Sequence, residues 1–543
     1  MRKILKQTIS LMCLLSMVLS LVACGGNSSS GNTAEIEEVV FPLKEEVTFT
    51  FMLADSEDVE FKTQLENNAL WKKLKEETNV NIEFQFLNGE GSDKLALLMS
   101  GGNYGDVLWG GPVLSSTLAS KYIAAGNFVD LTAYVNDKEL MPNLNQMLEE
   151  NNQYLNGVTA ADGKIYTVPK ITGMSGNYLE SPIWINKAWL DKLGLPVPTT
   201  LDEFTNVLKA FRDKDPNGNG AKDEIPYIAA TCMEGGYSHT EALLGIFGIA
   251  TKAGVNDAFV MVENGKVQFA PALQGYKDGI TYLNQLFEEK LLWSECFTAS
   301  SIDFNSKMTA KTCVVGCFTA KEPEITEYKD DYVCIVPPKA EGYEASFYLN
   351  PYYNGAKNLL YVTNKCKNVN VLMAWVDKLF ELENALAYDY GTVEDGRIAY
   401  ADGKYTILEL DDVEAARLEE EKPTLNTLLG SAPRGISIEA FENNIILGKS
   451  EQTLQDNYEL YKNYLHTEVW PRPYIAAEDA YDADVYMTDL MYQVETNRGK
   501  WISGALDIDK TWDEYIKKLN SIGMKEYLEI LQRSYDTYLS GNK

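Results

Sequence analysis

The chain has 543 residues and a formal net charge of −31, from 48 Lys and Arg against 79 Asp and Glu. So acidic a protein is poorly suited to nucleic acid and attracts polyanions weakly over distance, which tilts any ligand towards neutral molecules. Its two histidines, His239 and His466, are far apart in sequence, which argues against a histidine-rich zinc centre and a Ser-His-Asp triad.

At the N-terminus, Arg2, Lys3 and Lys6 precede an apolar run from Ile9 to Val22, the pattern of a signal peptide over residues 1–23. The run ends in Leu21-Val22-Ala23-Cys24-Gly25, which resembles a bacterial lipobox. That resemblance implies a diacylglycerol on the Cys24 thiol and a protein held on the outer face of the cell membrane. Residues 24–43, opening with Gly25 to Thr33, read as a flexible tether. Removing residues 1–23, which carry three positive charges and no acids, would bring the net charge near −34. Six cysteines follow (Cys232, Cys296, Cys313, Cys317, Cys334 and Cys366), too sparse for a disulfide scaffold. They read as buried thiols, with one or two disulfides left open.

About 520 residues exceed what one hydrophobic core usually holds, so two lobes are expected. Val47, Phe49 and Phe51 alternate with polar residues and predict a strand; Leu65, Leu70, Trp71 and Leu74 predict helix; Val80, Ile82, Phe84 and Phe86 predict a second strand. Strand, helix, strand at this spacing predicts a parallel α/β unit. Ile183-Trp184-Ile185 opens a second α/β region. Thr200-Leu201-Asp202-Glu203 is a capping box, followed by Phe204, Val207, Leu208 and Phe211 on one helical face. Further helices are expected around Tyr282–Phe287, Leu372–Leu379 and from Glu478 to the end, with Gly523 as a helix stop.

Asp215-Pro216-Asn217-Gly218-Asn219-Gly220-Ala221-Lys222-Asp223-Glu224 carries the most specific chemistry. Side-chain oxygens of Asp215, Asn217, Asn219, Asp223 and Glu224, with the Ala221 carbonyl, form a donor set suited to a structural Ca2+. The closing acid stands at the tenth position rather than the twelfth, where Pro226 falls. The alternative is a metal-free Asn/Gly/Asp turn.

The same loop carries a resemblance, together with Asn68 to Leu74, Ser100-Gly101-Gly102 leading to Asp106-Val107, and Asp162 to Tyr166 with Pro169. Ile185-Asn186-Lys187, Trp189 to Leu195, Phe247-Gly248 and Ile502-Ser503-Gly504 with Asp507, Asp509, Trp512, Tyr515, Gln532 and Tyr535-Asp536 complete it. The chain resembles the large family 1 extracellular solute-binding proteins of ABC importers, in the lipoprotein branch with calcium-containing alginate-binding proteins. Gly105 departs from the pattern, where relatives often carry proline, and 301–345 matches less readily. The resemblance implies a type II periplasmic-binding-protein fold of two α/β lobes joined by hinge crossings. By that analogy the N-terminal lobe comprises 44–168 and 315–360, and the C-terminal lobe 169–314 and 361–543. It implies a monomer that captures a sugar or oligosaccharide and delivers it unchanged to a permease, powered by an ATPase on a separate chain.

Sugar clefts combine aromatic faces with hydroxyl-binding carboxylates and amides. Trp109 between strand and glycines, Asp55 and Glu57 after the first strand, Tyr237, Tyr352, Tyr353 and Trp470 are the candidate ligand contacts, each with a packing or solvent-exposed alternative. Competing readings are an extracellular glycoside hydrolase, which shares acids and aromatics, and a binding protein for a peptide or another small solute.

Overall fold

The structure, a computed structural model, describes residues 38–54, 59–87, 91–109, 114, 116–233, 238–252, 259–350 and 359–540. The signal peptide, Cys24 and the tether up to residue 37 lie outside the described residues, as do Asp55, Glu57, Tyr237, Tyr352 and Tyr353. Among the described residues no helix is long and apolar enough to cross a membrane.

Strands β1 (Val47–Leu53) and β2 (Val80–Phe86) pair in parallel, placing Phe49 opposite Ile82 and Phe51 opposite Phe84. The alternation therefore puts the apolar set on one face, which the helices Val59–Asn67 and Ala69–Thr78 adjoin: Phe61 and Trp71 both meet Phe84. On the other side of β1 lies β3 (Val107–Trp109), also parallel. Gly105, just before β3, is fixed by close approach, since a Cβ there would stand 2.7 Å from the Thr50 carbonyl oxygen. Asp106 then accepts from the Thr50 amide at 2.8 Å and ties the two strands together.

Beyond this sheet come β4 (Lys170–Thr172) and β5 (Ile183–Asn186). The helix Leu201–Asp213 forms with the expected capping box: Thr200 Oγ1 accepts from the Glu203 amide, and Glu203 Oε2 from the Thr200 amide, both at 3.2 Å. Strands β6 (Cys317–Thr319) and β7 (Tyr332–Ile335) flank β5, antiparallel to it, in a second sheet. β8 (Leu360–Val362) returns to the first sheet, antiparallel to β3, and β9 (Arg434–Ile436) pairs in parallel with β4.

Within 315–360, assigned by analogy to the N-terminal lobe, β6 and β7 pair with β5. The opening of 361–543 belongs with the first sheet: Trp375, on the helix Val369–Asp377, packs against Phe51 and Trp71. Lys73 likewise reaches Asn384 at 3.0 Å and Glu383 at 3.4 Å. Periodicity marks a strand or a helix but says nothing about which sheet it joins.

The first sheet's side has a core cluster around Met52, Leu95, Leu108 and Tyr361. The second has a larger one that takes in the helices Gln274–Glu288, Ala477–Ile502, Ile508–Ile522 and Met524–Ser540 through Leu283, Val494, Leu519 and Leu531. Gly523 at φ 120° ends the third of these, in a conformation that favours glycine. All six described cysteines are free thiols, so the disulfides left open by the sequence are not formed.

Candidate functional site

The strand pair β4–β9 builds the site by placing two cations opposite each other, Lys170 facing Arg434 across the ladder. Like charges in that arrangement repel. The helix Leu382–Tyr390 supplies the counter-charge at its C-terminal end, where Asp389 accepts from both Arg434 Nε, at 3.0 Å, and Arg434 Nη2. Arg434 is 1% exposed and also donates to the Ala432 carbonyl at 2.9 Å and Asn426 Oδ1 at 3.2 Å, and stacks over the Tyr388 ring at 4.4 Å. Burial alone would raise the Asp389 carboxyl, but Arg434 and then Lys170 pull it below the ordinary carboxylate range. Burial lowers Lys170 to about 8, against the pull of Asp389, whose Oδ1 is 4.0 Å away.

Facing this wall, the stretch before β5 and the residues after β6 contribute Asn177, Glu180 and Lys321. Lys321 Nζ donates to Asn177 Oδ1 at 2.6 Å, and burial pushes it below its ordinary value. Glu180 accepts from Asn350 and from Lys252, the latter at 3.0 Å. Between the walls is a cavity of about 320 Å³, lined also by Tyr390 and Met174. A wider groove of about 720 Å³ shares Asp389 and Tyr390 with it and is flanked by Trp184, Tyr332, Glu324 and Glu451. Burial, reinforced by Glu322, raises both Glu324 and Glu451. The half-buried Tyr390 ring thus stands amid amides, carboxylates and cations. Such a site holds hydroxyl-rich molecules by stacking and hydrogen bonds. A separate hollow of about 640 Å³ beside β2 is lined by Phe61, Trp71, Phe84 and Phe86. Its polar rim is exposed Lys and Glu side chains on separate elements, so it lacks the converging buried polar groups of the cleft.

The sequence candidates fare unequally. Trp109 is 1% exposed, with its ring 5.0 Å from Phe51 and 6.0 Å from Trp375, so it is core. Trp470 is buried too, its ring 6.1 Å from Tyr535. Neither lines the cleft described here.

In the loop 215–224, Asp215, Gly218 and Gly220 take positive φ, and the loop curls around its own side chains. Asp215 accepts from the amides of Gly218 and Gly220, at 2.9 and 3.1 Å, and Asn219 from the amide of Ala221, at 2.7 Å. Asn217 and Asn219 both donate to Asp223. Glu224 Oε1 is buried with no hydrogen-bond partner, and burial followed by the Asp223 and Asp215 carboxylates raises its acid. An orphaned carboxylate oxygen beside two further acids fits a hard divalent cation. Among the described residues, however, no group of three or more His, Cys, Asp or Glu side chains is drawn together as a formed metal cluster.

Sequence reasoning missed Lys170, Lys321, Asp389, Tyr390 and Arg434. They come from four distant segments and follow no spaced motif. Only Arg434, a charged residue between Ala432-Pro433 and Gly435-Ile436 in an otherwise apolar run, carried a signal.

A cleft lined by an aromatic ring and converging polar groups is suited to holding a solute. Residues 62–305 match the model of the bacterial extracellular solute-binding proteins. In particular, the chain is 28% identical, over 95% of its own length and 96% of the other, to the fructooligosaccharide ABC transporter substrate-binding protein FusA of Streptococcus pneumoniae serotype 4 (strain ATCC BAA-334 / TIGR4). FusA in complex with kestose superposes with a TM-score of 0.76 at 25% identity, covering 91% of this chain and 100% of that one. A FusA EF-hand mutant in complex with fructo-nystose gives 0.73 at 24%, covering 91% and 100%. The alginate-binding protein AlgQ2 without calcium ion shares the fold at a TM-score of 0.65 and 19% identity, covering 92% of this chain and 100% of that one. The fold is thus the periplasmic-binding-protein type expected from the sequence.

Proposed function

We propose that this chain is the substrate-capturing component of an ABC importer for oligosaccharides, binding them in the cleft between β4–β9 and the second sheet without breaking them. The observation that carries the reading is the half-buried Tyr390 ring lining one cavity with Asp389, Glu180, Asn177 and Asn350. A pyranose or furanose ring presents C–H faces to an aromatic ring and hydroxyls to carboxylates and amides. The likeness to FusA along nearly the whole chain supports the same reading. Asp55, Glu57, Tyr237, Tyr352 and Tyr353 belong to the proposal as further ligand contacts. Two lobes close on the sugar, the ligand favouring the closed state by contacts to both walls. Cys24 carries the lipid that holds the monomer to the membrane, and permease and ATPase are separate chains. The loop of Asp215, Asn217, Asn219, Ala221, Asp223 and Glu224 holds a structural Ca2+, which would neutralise its three acids and give Glu224 Oε1 a partner.

A thermal-shift screen across oligosaccharides of two to five units, with chromatography of the recovered ligand, tests this. A binder raises the melting temperature by mass action and is recovered intact. Shortened products would instead support the hydrolase, and a response to peptides alone would move the protein to another solute class.

A further inference from the structure

The inner end of the cleft has a charge balance opposite to that of the whole chain. Lys170, Lys321 and Arg434 line the cavity against two carboxylates, Glu180 and Asp389. Both Asp389 oxygens already accept from Arg434, leaving Lys170 with a carboxylate only at 4.0 Å. Glu180 is shared with Lys252 from outside the cavity. Lys321 has three donors and bonds the neutral Asn177; among the described residues no carboxylate lies within 4.0 Å of it, and Glu322, Glu180, Asp389 and Glu451 act on it only from further off. Lys321 and Arg434 both press Lys170 towards its neutral form, on top of burial. Burying ammonium groups this poorly matched is costly unless a further anion completes the site.

We infer that this inner end is a seat for a carboxylate, so that the captured oligosaccharide carries an acidic sugar unit held by Lys170 and Lys321 beside the fixed Arg434–Asp389 pair. The inference rests on the reading of the cleft as an oligosaccharide site. It departs from the preference for a neutral ligand drawn from bulk charge, because a field averaged over the surface does not describe the lining of one cavity. The adjoining groove limits how acidic the ligand is. Glu324, Asp330, Glu409, Glu419 and Glu451 line it together with Asp389, against Lys329, Arg397 and Lys449, so acids outnumber cations there. A polyanion running outward would meet them, whereas one acidic unit at the inner end with neutral units beyond would not.

Calorimetric titration with three trisaccharides tests this: one with a single terminal uronic acid, its fully neutral counterpart, and trigalacturonate. The mono-acidic sugar is expected to bind at least about ten-fold more tightly than the neutral one and more tightly than trigalacturonate. Lys321→Met should shrink the preference over the neutral sugar by about ten-fold, and Lys321→Arg should keep most of it. If Lys321→Met does not fold by thermal unfolding, Lys170→Met serves the same purpose. Equal or tighter binding of the neutral sugar overturns the inference while leaving an oligosaccharide-binding protein. So does a preference for trigalacturonate, or a preference for acid that neither lysine substitution changes. Binding of none of the three, with a response to neutral oligosaccharides of other composition, also overturns it; no response to any oligosaccharide removes the functional reading beneath it.

Discussion

At the scale of single residues, the balance among Lys170, Arg434 and Asp389 decides whether the cleft holds its shape. Asp389→Asn keeps the volume and one acceptor but leaves two facing cations without their counter-charge. Breaking a buried pair by removing one partner costs about 3–5 kcal/mol. The expected outcome in urea unfolding is a loss in that range and a lower denaturation midpoint; an unchanged midpoint would show that solvent compensates the cations. A second buried group contributes to acid stability. His239 is 2% exposed; its Nδ1 accepts from the Glu241 backbone amide at 3.2 Å and lies 3.6 Å from the Glu241 carboxylate, which Arg498 and Tyr276 also contact. Burial lowers it to about 4, against the pull of Glu241 and with a further push from Arg498. In the unfolded chain a histidine titrates near 6.5, so between about 6.5 and 4 the unfolded state binds the extra proton. Its contribution is therefore complete above about pH 6.5 and lost as pH falls towards 4, roughly 3 kcal/mol in all. His239→Asn should flatten the fall in melting temperature between pH 7 and 4.5; an equally steep fall would assign acid sensitivity to other groups.

Among the elements, those governed by local pattern were legible in advance. β1 and β2 follow from strict alternation, and the helix Leu201–Asp213 from its capping box and apolar face. The short strands that make the site were not. β4 and β9 are three residues each, too short for any period to show, and their pairing joins segments more than 260 residues apart. Trp109 misled for a related reason: a tryptophan before glycines resembles a cleft platform, yet Phe51 and Trp375 enclose it. Packing across distant segments leaves no local trace. The strand pair has its own test at Gly173, where a Cβ would stand 2.4 Å from the Ser437 carbonyl oxygen and 2.6 Å from the Ile438 nitrogen. Backbone atoms cannot rotate away as a side chain can. Gly173→Ala should therefore part the strand ends, cost about 1–3 kcal/mol in thermal unfolding and weaken ligand binding. Wild-type affinity with wild-type stability would mean that the strands tolerate the spread.

Over the whole molecule, the type of fold was legible from the resemblance, while the sheet that each short strand joins was not. β6 and β7 pair with β5, and β8 then pairs with β3, so the chain returns to the first sheet after leaving it. The proposed Ca2+ would act at this scale too, by pinning the connection after the helix Leu201–Asp213. EGTA should lower the melting temperature of protein loaded with the ion, and Glu224→Gln should lower the starting value and blunt that response; no chelator effect and no calcium by elemental analysis would remove the ion from the account. The central claim is that the cleft around Tyr390 binds an oligosaccharide and leaves it whole. Isothermal titration calorimetry of the best oligosaccharide from the screen, against the wild-type protein and Tyr390→Ala, tests it most directly. The predicted result is saturable one-site binding by the wild type, weakened about ten-fold in the variant, with heat returning to baseline after each injection. Equal affinity in both proteins, or a sustained heat of turnover, would contradict it.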